Sequence, residues 1–341
     1  MESKQEKKVK RVALTGAAGF IGSHVLEHFL TETDWDITCV CSWQHKGTPE
    51  RIGEVLRGHE GWPHRVTVIT HDLTAPFTPH TKARMGRFDY IVNVASESHV
   101  DRSIEDPVPF VKNNVALVLT MLEFAREFPP EVFVQVSTDE VYGAAPEGHN
   151  HKEWEAILPS NPYSASKAAQ EAIALSYWRT YGVPLVITNT MNNFGEMQDA
   201  EKYIAMCVRK ISAGEPVTVH GRDGKFGSRY YLHARNHADA ILHILCSLPP
   251  KKFGEADRPD RYNVVGDAEK DNLEVAQDVA AALGKPLAHT VVDFHSTRPG
   301  HDPRYALDGA KLKGLGWVPP LDYATSLKRY IDWTLKHDEW L

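Results

Sequence analysis

The chain has 341 residues, 42% apolar and 24% charged, with a net charge of −7. At roughly 150 residues per domain, that is about two domains or one large α/β unit whose core needs no staples. Its 38 basic and 45 acidic residues exclude a nucleic-acid binder working through bulk charge, and no run nears the ~18 apolar residues expected of a membrane helix.

In chain order, Met1 to Lys10 is charged and lacks the apolar run of a signal peptide. Arg11 to Leu14 reads as a strand, followed at once by Thr15-Gly16-Ala17-Ala18-Gly19-Phe20-Ile21-Gly22 and a helix over Ser23 to Leu30. Further strands read over Asp36 to Cys41, Arg65 to Thr70, Phe88 to Val94, Val132 to Ser137 and Pro184 to Thr190. Helices read over Pro109 to Phe128, stopped by Pro129-Pro130, and over Ser164 to Tyr181, stopped near Gly182. Strands alternating with helices predict βαβ units and a doubly wound parallel sheet. After Asn193 the alternation lapses. Gly214 to Arg229 reads as a loop, Asn236 to Leu248 as a helix returning to the first lobe, Pro249 to Arg261 as a surface connection and Asn272 to Leu283 as a helix. The expected division is a dinucleotide-binding domain over 1–190 with a returning segment at about 229–250. A smaller, discontinuous C-terminal lobe would take 191–228 and 251–341.

The four cysteines have no zinc-ribbon or CxxC spacing. Cys39 and Cys41 should share one face of a strand as buried thiols, which fits a reducing, cytoplasmic setting. The 18 histidines form no HExxH cluster, and His149 and His151 read as part of a solvated polar loop, so no metal is expected.

Two constellations carry chemistry. Gly16, Gly19 and Gly22 open a helix directly after a strand, where glycine lets the backbone approach a pyrophosphate and the helix N-terminus favours its charge. The second strand ends Cys39-Val40-Cys41-Ser42 without the carboxylate that usually binds the adenosine ribose. Ser42, His45, Lys46 and Arg51 would suit a 2′-phosphate, so NAD is expected with NADP left open. Asp72, after the third strand, is placed to reach the adenine. Tyr163 and Lys167 stand four apart on one helical face, an arrangement in which the ammonium would lower the phenol's pKa and make Tyr163 a base.

Together with the glycine loop, Tyr163-Ser164-Ala165-Ser166-Lys167 resembles the extended short-chain dehydrogenase/reductase family, which acts on nucleotide sugars. Within it, Thr138-Asp139-Glu140 is similar to the dTDP-glucose 4,6-dehydratase branch. There the Thr would hold the substrate hydroxyl, Asp139 would be the acid and Glu140 the base of a water elimination. The resemblance implies a Rossmann-type fold and a cofactor held by Gly16, Gly19, Phe20, Ile21, Gly22, Ser42, Asp72, Leu73 and Ala95 with Tyr163 and Lys167. It places Ser98, His99, Asn193, Lys202, His220, Arg229, Asn272, Arg298 and His301 on a nucleotide-diphosphate hexose. It also implies a homodimer formed through the helices at Val111 to Phe128 and Ser164 to Tyr181. Asn189, Glu196 and His220 depart from the family pattern. A 4-epimerase or decarboxylase on the same fold, and a non-catalytic dinucleotide sensor, remain the alternatives.

Overall fold

A computed structural model of the protein describes residues 8–293 and 302–340. The first lobe alternates β1 (Arg11–Thr15), α1 (Phe20–Glu32), β2 (Asp36–Cys41), α2 (Pro49–Leu56), β3 (Val66–Thr70), α3 (Pro79–Met85), β4 (Tyr90–Asn93), α4 (Val100–Glu105), α5 (Pro107–Glu127), β5 (Val132–Thr138), α6 (Pro162–Tyr181) and β6 (Leu185–Thr190). After these come β7 (Asn192–Phe194), α7 (Tyr203–Ser212), β8 (Val217–Arg222), β9 (Lys225–Phe226), β10 (Ser228–His233), α8 (Ala234–Ser247), β11 (Asp260–Val264), β12 (Glu269–Asp271), α9 (Asn272–Leu283), β13 (His289–Val292), β14 (Arg304–Tyr305), α10 (Ala310–Gly314) and α11 (Tyr323–Thr334).

The main sheet runs β11-β6-β5-β4-β1-β2-β3, and every pairing in it is parallel. Helices cover both faces, so β1, β2, β4, β5 and β6 are buried on both sides, while the edge strand β3 leaves Thr67, Val68 and Thr70 exposed. The strand order reverses between β1 and β4, which opens a crevice at the carboxyl ends of these strands. Thr15 Oγ1 pins the crevice floor by accepting from the Val94 and Ala95 N–H groups at 3.1 and 3.0 Å. Cys39 and Cys41 lie buried in one cluster with Val12, Leu14 and Val25, and burial pushes the Cys41 thiol up to about 11.

Three expectations need correction. The stretch 214–229 is not loop. Val217 and Val219 are buried, and Asp223 and Gly224 both take positive φ to turn β8 tightly into β9, as Asp-Gly does in hairpins. Residues 249–261 are not merely a surface connection either. Asp260 and Arg261 begin β11, which pairs with β6 and carries the C-terminal stretch back into the main sheet. Those charges read as surface, but Arg261 lies buried with Glu171 at 2.5 Å, and Asp260 pairs with Lys251 at 3.3 Å. Finally, α5 is long and apolar enough to span a bilayer by length and composition. In the fold it packs on α6 and the sheet, burying Leu117, Val118, Met121, Leu122 and Phe124.

The smaller lobe centres on β10, which joins β12, β14 and β7, with β8 between β13 and β9. Helices α7, α9 and α11 enclose a separate apolar cluster there, while α8 returns to pack on α1.

Candidate active site

A cavity of about 350 Å³ runs from the glycine loop to the carboxyl end of β5. At one end, Gly16 has a φ of +72°, and a Cβ on Gly22 would lie 2.0 Å from the Gly16 carbonyl oxygen. The backbone can therefore close this tightly only with glycine. Gly19 precedes α1 and offers no side-chain cap, and the helix's first turn carries no acidic residue. Free N–H groups and the positive end of the helix dipole thus face the cavity, a cradle that fits the pyrophosphate of a dinucleotide.

Phe20, Ile21, Ser42, Asp72, Leu73 and Ala95 line the same cavity. The Asp72 carboxylate accepts from Thr74 N at 2.9 Å, Thr74 Oγ1 at 2.8 Å and Gln44 Nε2 at 3.2 Å, so it also braces its own turn. The basic residues expected to suit a 2′-phosphate are engaged elsewhere. Lys46 pairs with Asp199 at 2.7 Å, His45 with Glu97 at 3.2 Å, and Arg51 is buried with its Nε donating to the Met197 carbonyl at 3.2 Å.

At the other end, β5 delivers Thr138, whose hydroxyl caps the short turn Asp139–Tyr142 by accepting from Glu140 N at 3.3 Å. This hydroxyl also donates to Asp139 Oδ1 at 2.8 Å, and Tyr163 lines the same end of the cavity. The second Asp139 oxygen is buried without a partner. Burial, followed by the neighbouring Glu140, pushes the Asp139 carboxyl up to about 7. Burial also raises Glu140, against the opposing pull of Asn161, Arg229 and Lys202.

Tyr163 sits in the first turn of α6, which begins with a capping box between Asn161 and Ser164 and has Pro162 at its start. Its position explains why Tyr163 and Lys167 share a face. Their electrostatics differ from the expectation. Burial and the Glu140 and Asp139 carboxylates hold the Tyr163 phenol well above its ordinary value. The Lys167 ammonium instead donates to the Val136 carbonyl at 2.7 Å and Gln170 Oε1 at 2.8 Å. Desolvation lowers Lys167 itself to about 8. The dry surroundings outweigh an ammonium directed at the backbone.

Ser98, His99, Asn193 and Lys202 line the cavity, with His99 held by Glu201 at 3.0 Å. Arg229 is not among the described residues lining the cavity; it lies over the Tyr305 ring at 4.9 Å, with its guanidinium donating to the Ser228, Asp302 and Pro303 carbonyls. His220 on β8 and Asn272 at the start of α9 are not among the described residues lining the cavity. Arg298 and His301 lie outside the described residues.

Sequence reasoning missed two groups on Glu140. Asn161 Nδ2 and the Tyr305 hydroxyl donate to its Oε2 at 3.3 and 3.4 Å. Asn161 was findable as an N-cap before Pro162. Tyr305 carries no local signal, since the pairing of β14 with β10 brings it there.

A family model described as GDP-mannose 4,6 dehydratase matches residues 14–330. A dTDP-glucose 4,6-dehydratase of Xanthomonas campestris is 39% identical over 271 residues, 74% of either chain. The low-salt glycan biosynthesis protein Agl12 of Haloferax volcanii is 34% identical, covering 96% of this chain and 99% of its own. The crystal structure of a Bacillus anthracis dTDP-glucose 4,6-dehydratase in complex with NAD superimposes with a TM-score of 0.83 at 30% identity, covering 97% of this chain and 98% of that one. With this architecture and these relatives, the chain belongs to the GDP-mannose 4,6 dehydratase family of extended short-chain dehydrogenase/reductases.

Proposed function

We propose that the protein is an NAD-dependent nucleotide-sugar 4,6-dehydratase that converts a nucleoside-diphosphate hexose to its 4-keto-6-deoxy form. The observation that carries this reading is the Asp139–Glu140 pair. It is buried beside Thr138 and Tyr163, with the Asp139 carboxyl raised to about 7 and so able to act as an acid near neutrality.

Held by the Gly16–Gly22 loop, NAD would supply the hydride acceptor for C4 and donor for C6, and a nicotinamide positive charge that would favour the Tyr163 phenolate. Tyr163 takes the 4-hydroxyl proton while Thr138 orients that oxygen. The 4-ketone acidifies C5, and Glu140, steadied by Asn161 and Tyr305, removes the C5 proton and, after exchange with solvent, returns one to C5 as C6 receives hydride. Asp139 protonates the 6-hydroxyl, which leaves as water. Lys167, held by Val136 and Gln170, is fixed at the β5 end of the cavity, where it would hold the nicotinamide ribose. The engagement of Lys46, His45 and Arg51 within the protein supports NAD over NADP. The reading includes a cytoplasmic homodimer. Four free cysteines support the compartment, and the α5–α6 pair, with Val108 and Tyr181 exposed, supports the dimer. Light scattering that finds only monomer mass would remove the dimer.

Turnover in D₂O tests the chemistry. Dehydration gives a product that has lost one water and carries one solvent deuterium on carbon, at C5. A 4-epimerase would give a product of unchanged mass with no deuterium on carbon, and that result refutes the assignment.

A further inference from the structure

The loop between β5 and α6 gathers three metal-type donors away from the proposed catalytic groups. His149 Nε2 and His151 Nδ1 both point at one oxygen of Glu155, at 2.9 and 2.8 Å. The three donor atoms lie within 4.8 Å of one another. Donors about 2.0–2.1 Å from a tetrahedral cation stand roughly 3.3 Å apart, so the trio already approximates one face of such a shell.

The donors are held in place before any ligand arrives. The His151 backbone is tied on both sides, its N–H donating to the Ala306 carbonyl at 2.9 Å and its carbonyl accepting from Asp308 N at 2.8 Å. The His151 ring stacks on Tyr142 at 5.4 Å. The other Glu155 oxygen accepts from Lys152 N at 3.0 Å. The Arg304 guanidinium donates to the Pro146 and His149 carbonyls and to Asn150 Oδ1, and Glu269 at 2.6 Å neutralises its charge. His149 and Glu155 also line a second, open cavity whose wall includes Glu269, Asp271 and Glu274. Six carboxylates against Lys152, Lys225 and Arg304 leave its wall net acidic, which favours a cation, and its open side leaves room for water to complete the coordination.

We propose that His149, His151 and Glu155 bind a divalent transition-metal cation of the zinc class. Two imidazoles and a carboxylate are a donor set that suits such ions and that magnesium and calcium do not favour. The cation would lock the 149–155 loop, whose His151 backbone is already tied to Ala306 and Asp308 beside Tyr305, and so would brace Tyr305 against Glu140.

The test is titration of chelator-treated full-length protein with Zn²⁺ and, separately, Co²⁺. One equivalent should bind saturably, the Co²⁺ form should show the intense visible bands of a four-coordinate site, and melting should shift upward. His149→Ala, at a half-exposed position, removes a ligand and should weaken binding by at least the roughly 10- to 100-fold that loss of an outer-shell partner causes, and so should Glu155→Gln. His59→Ala, at an exposed histidine outside the trio, should bind like the parent. No saturable binding to the intact protein, or equal affinity in His149→Ala, overturns the proposal. Should Glu155→Gln fail to fold, His149→Ala decides alone.

Discussion

Replacing Asp139 with Asn keeps the shape of the side chain and removes its acid. The effect follows from the position of the carboxyl. With a pKa of about 7 it is half protonated at pH 7, whereas a carboxyl at its ordinary value would be protonated in only about one molecule in a thousand. The fold thus raises the population of working acid by roughly 10²–10³, within the 10²–10⁴ range that a positioned general acid contributes. Water loss in Asp139→Asn should fall by that range, while oxidation at C4, which does not use this proton, continues. Mixing the variant with substrate should build up reduced cofactor fluorescence while mass spectrometry finds little dehydrated product. The sign of the pH dependence follows as well. Asp139 is the acid below its raised pKa and loses its proton as pH rises through about 7, so the parent's dehydration rate should decline on the alkaline side. Asp139→Asn should lack that decline. A variant with parental water loss and an unchanged pH profile would refute the assignment of the acid.

Glu140→Gln should also halt dehydration while leaving partial oxidation; full turnover would remove its role as base. Tyr163→Phe should abolish cofactor reduction on mixing with substrate, and normal reduction would contradict the proton-abstraction step. Gly22→Ala would drive a Cβ to 2.0 Å from the Gly16 carbonyl oxygen, so the protein should be purified without bound dinucleotide and melt lower; retention of a full equivalent would show that the loop is not the cradle. Glu171→Gln strands the buried Arg261 cation and should cost about 3–5 kcal/mol in denaturant unfolding. Glu171→Met combined with Arg261→Met should cost less than either single change, and strictly additive losses would contradict a pair valued mainly for neutralising burial.

The first lobe was legible because its strands are apolar runs punctuated by strong stops. Asp36–Cys41 matches the structure residue for residue, and in the smaller lobe so does Asn272–Leu283, bounded by the Asp271–Glu274 capping box and the left-handed Gly284. The smaller lobe was harder to read because its strands are short and carry charge. Ser228–His233 holds β10 through neighbours far away in sequence, which no local pattern reveals. β11 hid behind Asp260 and Arg261, whose charges look exposed until Glu171 and Lys251 are seen beside them. At the site, Thr138, Asp139, Glu140, Tyr163 and Lys167 converge as their motifs imply. Their protonation was not readable from spacing, since the YxxxK interval says nothing about the desolvation that raises Tyr163 or the carbonyl that holds Lys167. The Glu155 partner of His149 and His151 was likewise invisible until the loop folded back.

The most direct measurement is mass spectrometry of native protein incubated, without added cofactor, with dTDP-, UDP-, GDP- and CDP-hexoses, beside denatured protein analysed for released dinucleotide. The account expects NAD in the denatured sample and the loss of one water from at least one nucleotide sugar. Released NAD with every sugar unchanged in mass, including the one that binds most tightly, would contradict dehydration as the protein's chemistry.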